Sequence, residues 1–208
     1  MYRIVKRILD FSLSLLLFIV ISPLFLILVI WVRINLGTPV FFSQERSGKN
    51  CKPFKLLKFR TMTNERDNKG KLLPDEERLT KFGHKLRSTS LDELPELLNI
   101  IVGDMSVIGP RPLPTHYNSL YTERELKRFE VRGGLISPES VDKDPFISWD
   151  KQLEYDVSYV EHFSFKQDCG IFFLVFRMLF KRYEKDLGSW TRKSLEEERL
   201  NKNINKIR

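Results

Sequence analysis

The chain has 208 residues, which is enough for one domain of ordinary size with appendages. Its formal net charge of +8 fits anionic partners, such as nucleic acid, acidic lipid or a phosphorylated substrate, and does not choose among them. The two cysteines, Cys51 and Cys169, match no metal-binding or redox spacing, which excludes a site built on paired cysteines. We expect two free thiols in a reducing compartment.

The first hydrophobic segment has the length and composition of a membrane helix. Residues 11–32 carry no charged side chain and can span about 30 Å of hydrocarbon. Ser22 and Pro23 lie at the middle, where proline kinks a helix and the serine hydroxyl can satisfy a backbone group that the break frees. Basic residues flank the segment on both sides: Arg3, Lys6, Arg7 and Arg33. Since the positive-inside rule favours both ends in the cytoplasm, we expect a re-entrant helix, with a kinked bilayer-crossing helix as the alternative.

The rest of the chain favours a mainly helical domain with a small β element. Residues 39–44 and 54–60 predict two short strands, and the turn-rich residues 47–50 between them indicate a β-hairpin. Residues 63–78 are strongly polar and indicate a loop. Helices are expected at residues 79–86, 94–102, 117–129, 149–160 and 171–183. The expected fold class is therefore α+β, mainly helical.

Three stretches near the C-terminus have less regular patterns. Gly133 and Gly134 indicate a loop. Residues 171–183 are apolar with embedded basic residues, which suits an amphipathic helix lying in the membrane interface, and a core helix of a soluble domain is the alternative. Residues 184–208 are mostly charged and predict a solvated helix or disorder.

An adjacent carboxylate pair, Asp92 and Glu93, is the most informative feature of the chain. It lies within residues 90–95, at the expected start of a helix near residues 90–92, because Pro95 is tolerated only in a first turn. Ser90 and Glu93 also match a capping box, so helix capping is the alternative interpretation. A carboxylate at a helix N-terminus stays ionised, and an ionised aspartate can attack phosphorus. A divalent cation would relieve the repulsion between two neighbouring carboxylates.

Several basic residues could bind phosphate. Arg111 lies in a stiff Gly-Pro-Arg-Pro turn, and its planar guanidinium matches phosphate oxygens, with a solvated surface arginine as the alternative. Lys58 has the same two interpretations, and Arg87 lies just before the acidic pair. Asp156 and Asp168 are candidate metal ligands, with helix caps or surface positions as the alternatives.

Longer motifs follow one another from about residue 1 to residue 182. They are Asp10 and Ser22-Pro23 in the first segment, residues 58–62, 90–95 and 103–112, Ser148-Trp149, Asp156, Tyr159-Val160 and Ser164-Phe165. In order and spacing, these motifs resemble the bacterial sugar transferases, the small monotopic polyprenyl-phosphate phosphoglycosyl transferases. The resemblance implies three parts: a re-entrant membrane helix at residues 1–36, a small catalytic domain at 37–183, and a charged tail at 184–208.

The resemblance also implies an activity. A sugar-1-phosphate would pass from a nucleotide diphosphate sugar, expected to be UDP-linked, to undecaprenyl phosphate at the cytoplasmic face of the bacterial inner membrane. By matching position, Asp92 would be the nucleophile that expels UMP, and Asp92 and Glu93 would hold Mg²⁺. Arg111, Lys58 and Arg87 would bind substrate phosphate. Asp156 and Asp168 would line the site. Membrane phospholipid is a further expected partner, nucleic acid is not, and the sequence leaves a homodimer open.

One segment departs from the family. Residues 132–145 (RGGLISPESVDKDP) stand where the family typically shows RPGITG and then QVNGRN, and Asp144 takes the place of the usual basic residue. We expect this segment to contact the nucleotide sugar, so its change bears on donor choice. Two other hypotheses stand beside the enzyme: a catalytically silent, membrane-anchored basic scaffold, and a nucleic-acid-binding protein, for which the sequence offers no recognition motif.

Overall fold

The structure is a computed structural model that describes residues 1–142, 144, 147–181 and 194–200. The described chain is mainly helical with two small two-stranded sheets, which agrees with the expected α+β class. It divides into two compact units, each assembled from separate stretches of chain. Unit one contains Met1–Ile8, Glu45–Phe54 and Asp104–Arg208, and unit two contains Leu9–Gln44 and Lys55–Gly103.

The N-terminal segment forms one helix, α1 (Tyr2–Leu36), which is long and apolar enough to cross a membrane. Its 35 residues extend over about 50 Å at 1.5 Å per residue. Helical structure continues through Ser22 and Pro23. Because Pro23 has no N–H, the Ile19 carbonyl loses its helical partner, and the Ser22 hydroxyl donates to that carbonyl at 2.8 Å. The serine thus satisfies the group that the proline frees, as predicted. The re-entrant path stays a prediction.

The predicted hairpin is present as β1 (Phe41–Ser47) and β2 (Pro53–Phe59), which form a two-stranded sheet. The Arg60 amide donates to the Val40 carbonyl at 2.9 Å beside one end of these strands. Cys51, in the turn between the strands, is a free thiol in the structure, and Cys169 is another; the reducing compartment stays a prediction.

The hydrophobic core of unit two packs α1 against the end of β2 and against α3 (Lys81–Ser88). Its buried members are Phe25, Leu28, Val32, Phe59 and Leu86. The predicted loop before α3 contains a single short helix, α2 (Asp75–Arg78). Thr80 starts α3, where its side chain accepts a hydrogen bond from the Gly83 amide at 3.0 Å.

Unit one contains a parallel strand pair, β3 (Met105–Ile108) and β4 (Gly133–Ile136), with Met105 opposite Gly133. The prediction that Gly133 and Gly134 form a loop is therefore wrong. The reason is a close approach of two backbones, since a Cβ atom at Gly134 would lie 2.1 Å from the Gly109 nitrogen. These glycines serve tight strand pairing rather than a turn.

The expected helix at residues 117–129 is also wrong. The chain instead forms two short 3₁₀ segments, Thr115–Leu120 and Glu125–Glu130, with Tyr121 extended between them. The second segment begins at a capping box, in which Thr122 N donates to Glu125 Oε2 at 2.8 Å and Glu125 N donates to Thr122 Oγ1 at 3.3 Å. The cap interrupts what the pattern predicted to be one helix.

The next two helices were predicted, although one begins earlier than expected. Helix α5 (Trp149–Glu161) has the expected bounds within one residue, whereas α6 (Phe165–Lys181) starts six residues before the predicted 171. Helix α6 is amphipathic: it buries Asp168 and Ile171 and exposes large apolar side chains. Those exposed side chains are Phe165, Phe172, Phe173, Leu174 and Phe176. Its position in a membrane interface stays a prediction, and residues 182–183 of the predicted helix lie outside the described residues.

A described part of the charged tail packs onto unit one. Residues 195–200 are helical, and Leu195 is fully buried in a cluster with Leu113, Tyr117, Trp149 and Leu153. This stretch is helical, as one of the two expectations had it, but it is not fully solvated, because the apolar Leu195 among the charges is buried. The other residues of the predicted tail, 184–193 and 201–208, lie outside the described residues.

Candidate active site

The acidic pair of unit two lies in a 3₁₀ turn, Leu91–Glu93, that precedes helix α4 (Glu96–Val102). The helix thus begins later than the expected 90–92, with Pro95 as its N-cap residue. Ser90 has a left-handed backbone (φ 55°) and makes no side-chain cap bond, so the part of the capping alternative that rests on Ser90 is wrong. A left-handed backbone is costly for a residue other than glycine, and such strain is concentrated at functional sites.

Asp92 is a buried carboxylate with charged neighbours. It is only 8% exposed, and burial raises the pKa of its carboxyl. The positive charge of Lys58 opposes this rise, Glu93 adds to it, and Arg87 opposes it. Burial makes the carboxylate oxygen of Asp92 more basic, and the two nearby cations favour its ionised form. Both properties suit a nucleophile.

Lys58, near the end of β2, forms two ion pairs. Its Nζ lies 2.7 Å from Glu93 Oε1 and 3.1 Å from Glu96 Oε1. Glu96 is 4% exposed and was not among the residues predicted from the sequence. Its i, i+3 neighbour Asn99 is also buried, and two polar residues at this spacing within an apolar helix are the signal that could have found it.

Asn99 fixes α4 to the backbone of β2. Its Oδ1 accepts from the Leu57 amide at 3.0 Å, and its Nδ2 donates to the Lys55 carbonyl at 2.8 Å. The Asn99 side chain thus satisfies two backbone groups of β2 that would otherwise need the backbone of a further strand. They also place Lys58, the next residue along β2, beside the first turn of α4.

Arg87 is exposed on α3, and its Nε donates to Thr61 Oγ1 at 3.0 Å. This contact needs a close approach of α3 to the Thr61 backbone, which Gly83 permits. A Cβ atom at Gly83 would lie 1.8 Å from the Thr61 carbonyl oxygen. Arg87 is therefore held at Nε, and its terminal amines are the part suited to bind a phosphate.

The turn that carries Arg111 in unit one is fixed by its backbone. Gly109 N donates to the Ile136 carbonyl at 3.1 Å, and Gly134 N donates to the Pro110 carbonyl at 3.0 Å. Arg111 itself is exposed, while Nη2 of Arg128 donates to the Arg111 carbonyl at 2.7 Å. These hydrogen bonds fix the backbone of the turn at which the exposed Arg111 lies.

Arg128 and Asp156 form a buried ion pair behind this turn. Nε and Nη2 of Arg128 lie 3.0 Å and 2.8 Å from Asp156 Oδ2, and both side chains are at most 1% exposed. Burial raises the pKa of the Asp156 carboxyl, and the Arg128 charge counteracts this rise. Asp156 is therefore neither a cap nor a surface residue. Sequence reasoning missed Arg128, because nothing in its charged local sequence distinguishes it from solvated neighbours.

Asp168 likewise has structural partners. It accepts hydrogen bonds from Lys6 Nζ at 2.7 Å, from the Tyr159 hydroxyl at 2.7 Å and from the Tyr2 hydroxyl. This cluster joins α5, α6 and the first turns of α1, and it lies within unit one. Asp168 is thus buried in a network rather than at the surface.

The predicted site residues fall into two groups. Lys58, Arg87, Asp92 and Glu93 belong to unit two, and electrostatic interactions link Asp92 to the other three. The others, Arg111, Asp156 and Asp168, belong to unit one. In the part of the chain that the structure describes, His, Cys, Asp and Glu side chains form no group of three or more that could hold a metal.

Comparison with known proteins shows the family of the chain. The family model of the bacterial sugar transferases matches residues 1–182. The chain is 48% identical over 174 residues to the "Uncharacterized sugar transferase EpsL" of Bacillus subtilis, covering 84% of this chain and 86% of that protein. It is 36% identical over 179 residues to the "Exopolysaccharide production protein ExoY" of Rhizobium meliloti, covering 78% of each.

A longer relative carries a more specific name. The "UDP-glucose:undecaprenyl-phosphate glucose-1-phosphate transferase" of Klebsiella pneumoniae is 37% identical over 179 residues. The alignment covers 81% of this chain and 38% of that protein, so the likeness concerns less than half of the longer molecule. With its family match over residues 1–182, the chain belongs to the bacterial sugar transferase family and is a transferase enzyme.

Proposed function

We propose that the chain transfers a sugar-1-phosphate from a nucleotide diphosphate sugar to undecaprenyl phosphate through a covalent intermediate on Asp92. The observation that carries this proposal is a buried carboxylate whose charge environment includes Lys58 and Arg87. The relatives' names support sugar-phosphate transfer to a polyprenyl phosphate. The exopolysaccharide names among them fit the start of lipid-linked glycan assembly.

In the first half-reaction, a carboxylate oxygen of Asp92 attacks the phosphorus that bears the sugar. A bond forms between this oxygen and phosphorus, and the bond from phosphorus to the bridging oxygen of the diphosphate breaks. Nucleoside monophosphate leaves with that oxygen and its electron pair. Lys58 and Arg87 are suited to stabilise the negative charge that builds up on the phosphate oxygens.

In the second half-reaction, an oxygen of undecaprenyl phosphate attacks the same phosphorus. The aspartyl oxygen–phosphorus bond breaks, which restores the Asp92 carboxylate and yields undecaprenyl diphosphate sugar. Glu93 is suited to assist this acceptor step or to bind Mg²⁺. Arg111 presents a guanidinium of the right shape for a phosphate from its rigid turn in unit one.

Asp92 and Glu93 fit a Mg²⁺ ion. Magnesium in proteins is commonly held by one or two carboxylates together with substrate phosphates, and these adjacent residues supply two carboxylates. The bound ion would neutralise phosphate charge. Activity in excess EDTA equal to that with Mg²⁺ would contradict this assignment.

The chain is proposed to be monotopic, with its catalytic domain on the cytoplasmic face of the inner membrane. The exposed apolar side chains of α1 and α6 suit contact with phospholipid. The acceptor's phosphate lies at the membrane surface, whereas the sugar nucleotide is soluble. An active site just above one leaflet would therefore meet both substrates.

The donor is proposed to be UDP-linked, with its choice set by the segment that departs from the family. Residue Asp142 of this segment accepts from Lys151 Nζ at 2.6 Å and from the Tyr155 hydroxyl at 2.9 Å. The Lys151 hydrogen bond and the Asp144 amide lower the pKa of the Asp142 carboxyl to about 2. This negative charge lies two residues before Asp144, which takes the place of the basic residue typical of the family, and both acidic residues belong to the segment proposed to contact the donor.

The test is release of nucleoside monophosphate. Purified protein would be incubated with Mg²⁺, undecaprenyl phosphate and a panel of nucleotide sugars. We expect UMP release with one donor, and its loss in Asp92→Asn. Asp67→Asn is a matched control, because Asp67 is exposed and its Oδ1 accepts only local backbone amides that asparagine can also satisfy. Undiminished activity in Asp92→Asn would overturn the proposal and favour the silent-scaffold alternative.

A further inference from the structure

We propose that Glu96 is a positioning residue that anchors the Lys58 ammonium beside Asp92, so that one ammonium hydrogen is directed at a phosphate of the donor substrate. This inference rests on the proposed function. It concerns a residue outside the acidic pair, and it assigns to Glu96 a task that local sequence does not reveal.

The contacts show how the anchor works. A lysine ammonium has three donors, and two of those on Lys58 are directed at Glu93 Oε1 (2.7 Å) and Glu96 Oε1 (3.1 Å). Two acceptors on different residues define the direction of the third N–H bond, whereas one acceptor would leave the ammonium free to rotate about it. The Lys58 ammonium is paired with Glu93, the residue next to the proposed nucleophile Asp92, so its third donor belongs to the site of phosphate chemistry.

Glu96 is the more rigid of the two anchors. Its side chain is 6% exposed, compared with 27% for that of Glu93. Helix α4, which carries Glu96, is fixed to β2 by the two hydrogen bonds of Asn99, and it also buries Leu97 and Ile100. Glu93, in the 3₁₀ turn, keeps contact with solvent. It can change partners during the reaction while Glu96 continues to hold the lysine.

This arrangement explains an otherwise costly carboxylate. A buried charge is expensive unless a partner compensates it, and Lys58 is such a partner for Glu96. A merely structural residue at this buried position could be apolar. The carboxylate is needed if the position must hold a cation.

The first test is a double-mutant cycle on turnover. Glutamine keeps the size and an acceptor oxygen at residue 96, so Glu96→Gln is expected to fold and to lose mainly the charge attraction to Lys58. We expect kcat/KM to fall about tenfold, mostly in kcat, which corresponds to about 1.4 kcal/mol. In a Lys58→Met background the same substitution should cost less than twofold. An equal loss in both backgrounds would show that Glu96 acts independently of Lys58 and would overturn the inference.

The second test reads Lys58 directly and needs no turnover. The rate of acetylation of Lys58 by acetic anhydride would be measured by peptide mass spectrometry, with the exposed Lys71 as internal reference. We expect Glu96→Gln to increase the relative rate at least threefold, because the ammonium loses a charged partner. Glu123→Gln, at an exposed position, should leave it unchanged. An unchanged rate in Glu96→Gln would contradict the anchor.

The two tests separate this inference from the proposed function. If the wild-type protein released no nucleotide from any donor while Glu96→Gln still exposed Lys58 to acetylation, the proposed reaction would be wrong and the anchoring of Lys58 would stand. If wild-type turnover were normal and Lys58 were equally reactive in both proteins, the reaction would stand and the anchor would be wrong.

Discussion

The buried ion pair of Arg128 and Asp156 gives a strong stability prediction. Asp156→Asn keeps the size of the side chain but removes its charge, so the buried Arg128 guanidinium loses the carboxylate to which it is hydrogen-bonded. An arginine does not lose its proton at ordinary pH, so the cost cannot be avoided by neutralisation. Breaking a buried pair by removing one partner costs about 3–5 kcal/mol of unfolding free energy.

This cost should be visible in thermal unfolding of the detergent-solubilised protein, followed by tryptophan fluorescence. For a chain of this size each kcal/mol lowers Tm by about 2–4 °C, so Asp156→Asn is expected to lower it by about 6–20 °C. The exposed Asp67→Asn control should stay within about 0.5 kcal/mol of the wild type. A Tm for Asp156→Asn within about 2 °C of the wild type would refute the reasoning.

A double variant at Arg128 and Asp156 separates the effect of the ion pair on stability from its effect on transferase activity. Replacing a buried ion pair by apolar residues of similar size is often neutral, so Arg128→Met with Asp156→Leu should be more stable than Asp156→Asn alone. The double variant also removes the Arg128 donor to the Arg111 carbonyl. We therefore expect its transferase activity to stay below that of the wild type even where its stability recovers. Full activity would show that the Arg128 contact does not position Arg111.

Three further predictions concern other elements. Activity should fall as the pH is lowered through the raised pKa of Asp92, because only the ionised carboxylate attacks. Lys58→Met removes a positive charge that lowers this pKa, so the acidic limb of the pH–rate profile should move to higher pH. An unmoved limb would argue against an electrostatic coupling between Lys58 and Asp92. Gly83→Ala places a Cβ atom against the Thr61 carbonyl, and this overpacking should cost about 1–3 kcal/mol in a denaturation experiment, whereas no change would contradict the close approach. Leu195→Ala should cost about 2–5 kcal/mol by the same measurement, and a neutral result would mean that the tail segment does not contribute to the core.

Elements defined by local chemistry were predictable from the sequence. The hairpin of β1 and β2 follows from two apolar runs around a turn, and the bounds of α5 follow from its apolar spacing. The role of Ser22 follows from a count along the helix, since proline at 23 always frees the carbonyl four residues earlier. In each case the interacting residues belong to one helix or to two strands that follow each other along the chain.

One error arose where a distant partner decides the local structure, and another where a local capping signal divides a helix. Gly133 and Gly134 predict a loop by composition, and only the Gly109 backbone opposite them makes a strand the better solution. The interrupted helix at 117–129 could have been predicted, because Thr122 and Glu125 have the spacing of a capping box.

The site shows the same division. Asp92 and Glu93 are adjacent in the sequence and were found there. Glu96 became a site residue only when α4 packed against β2, and Arg128 only when α5 supplied Asp156. The sequence contains the i, i+3 spacing of Glu96 and Asn99, but it does not state which face of α4 meets the strand.

Covalent trapping on Asp92 tests the central claim most directly. The protein would be incubated with Mg²⁺ and the active nucleotide sugar without undecaprenyl phosphate, quenched, digested and analysed by mass spectrometry. The proposed mechanism predicts a phosphosugar on the peptide that contains Asp92, absent in Asp92→Asn and lost when undecaprenyl phosphate is added before quenching. Nucleoside monophosphate release at the wild-type rate from Asp92→Asn, or an adduct located on Glu93 instead, would contradict it.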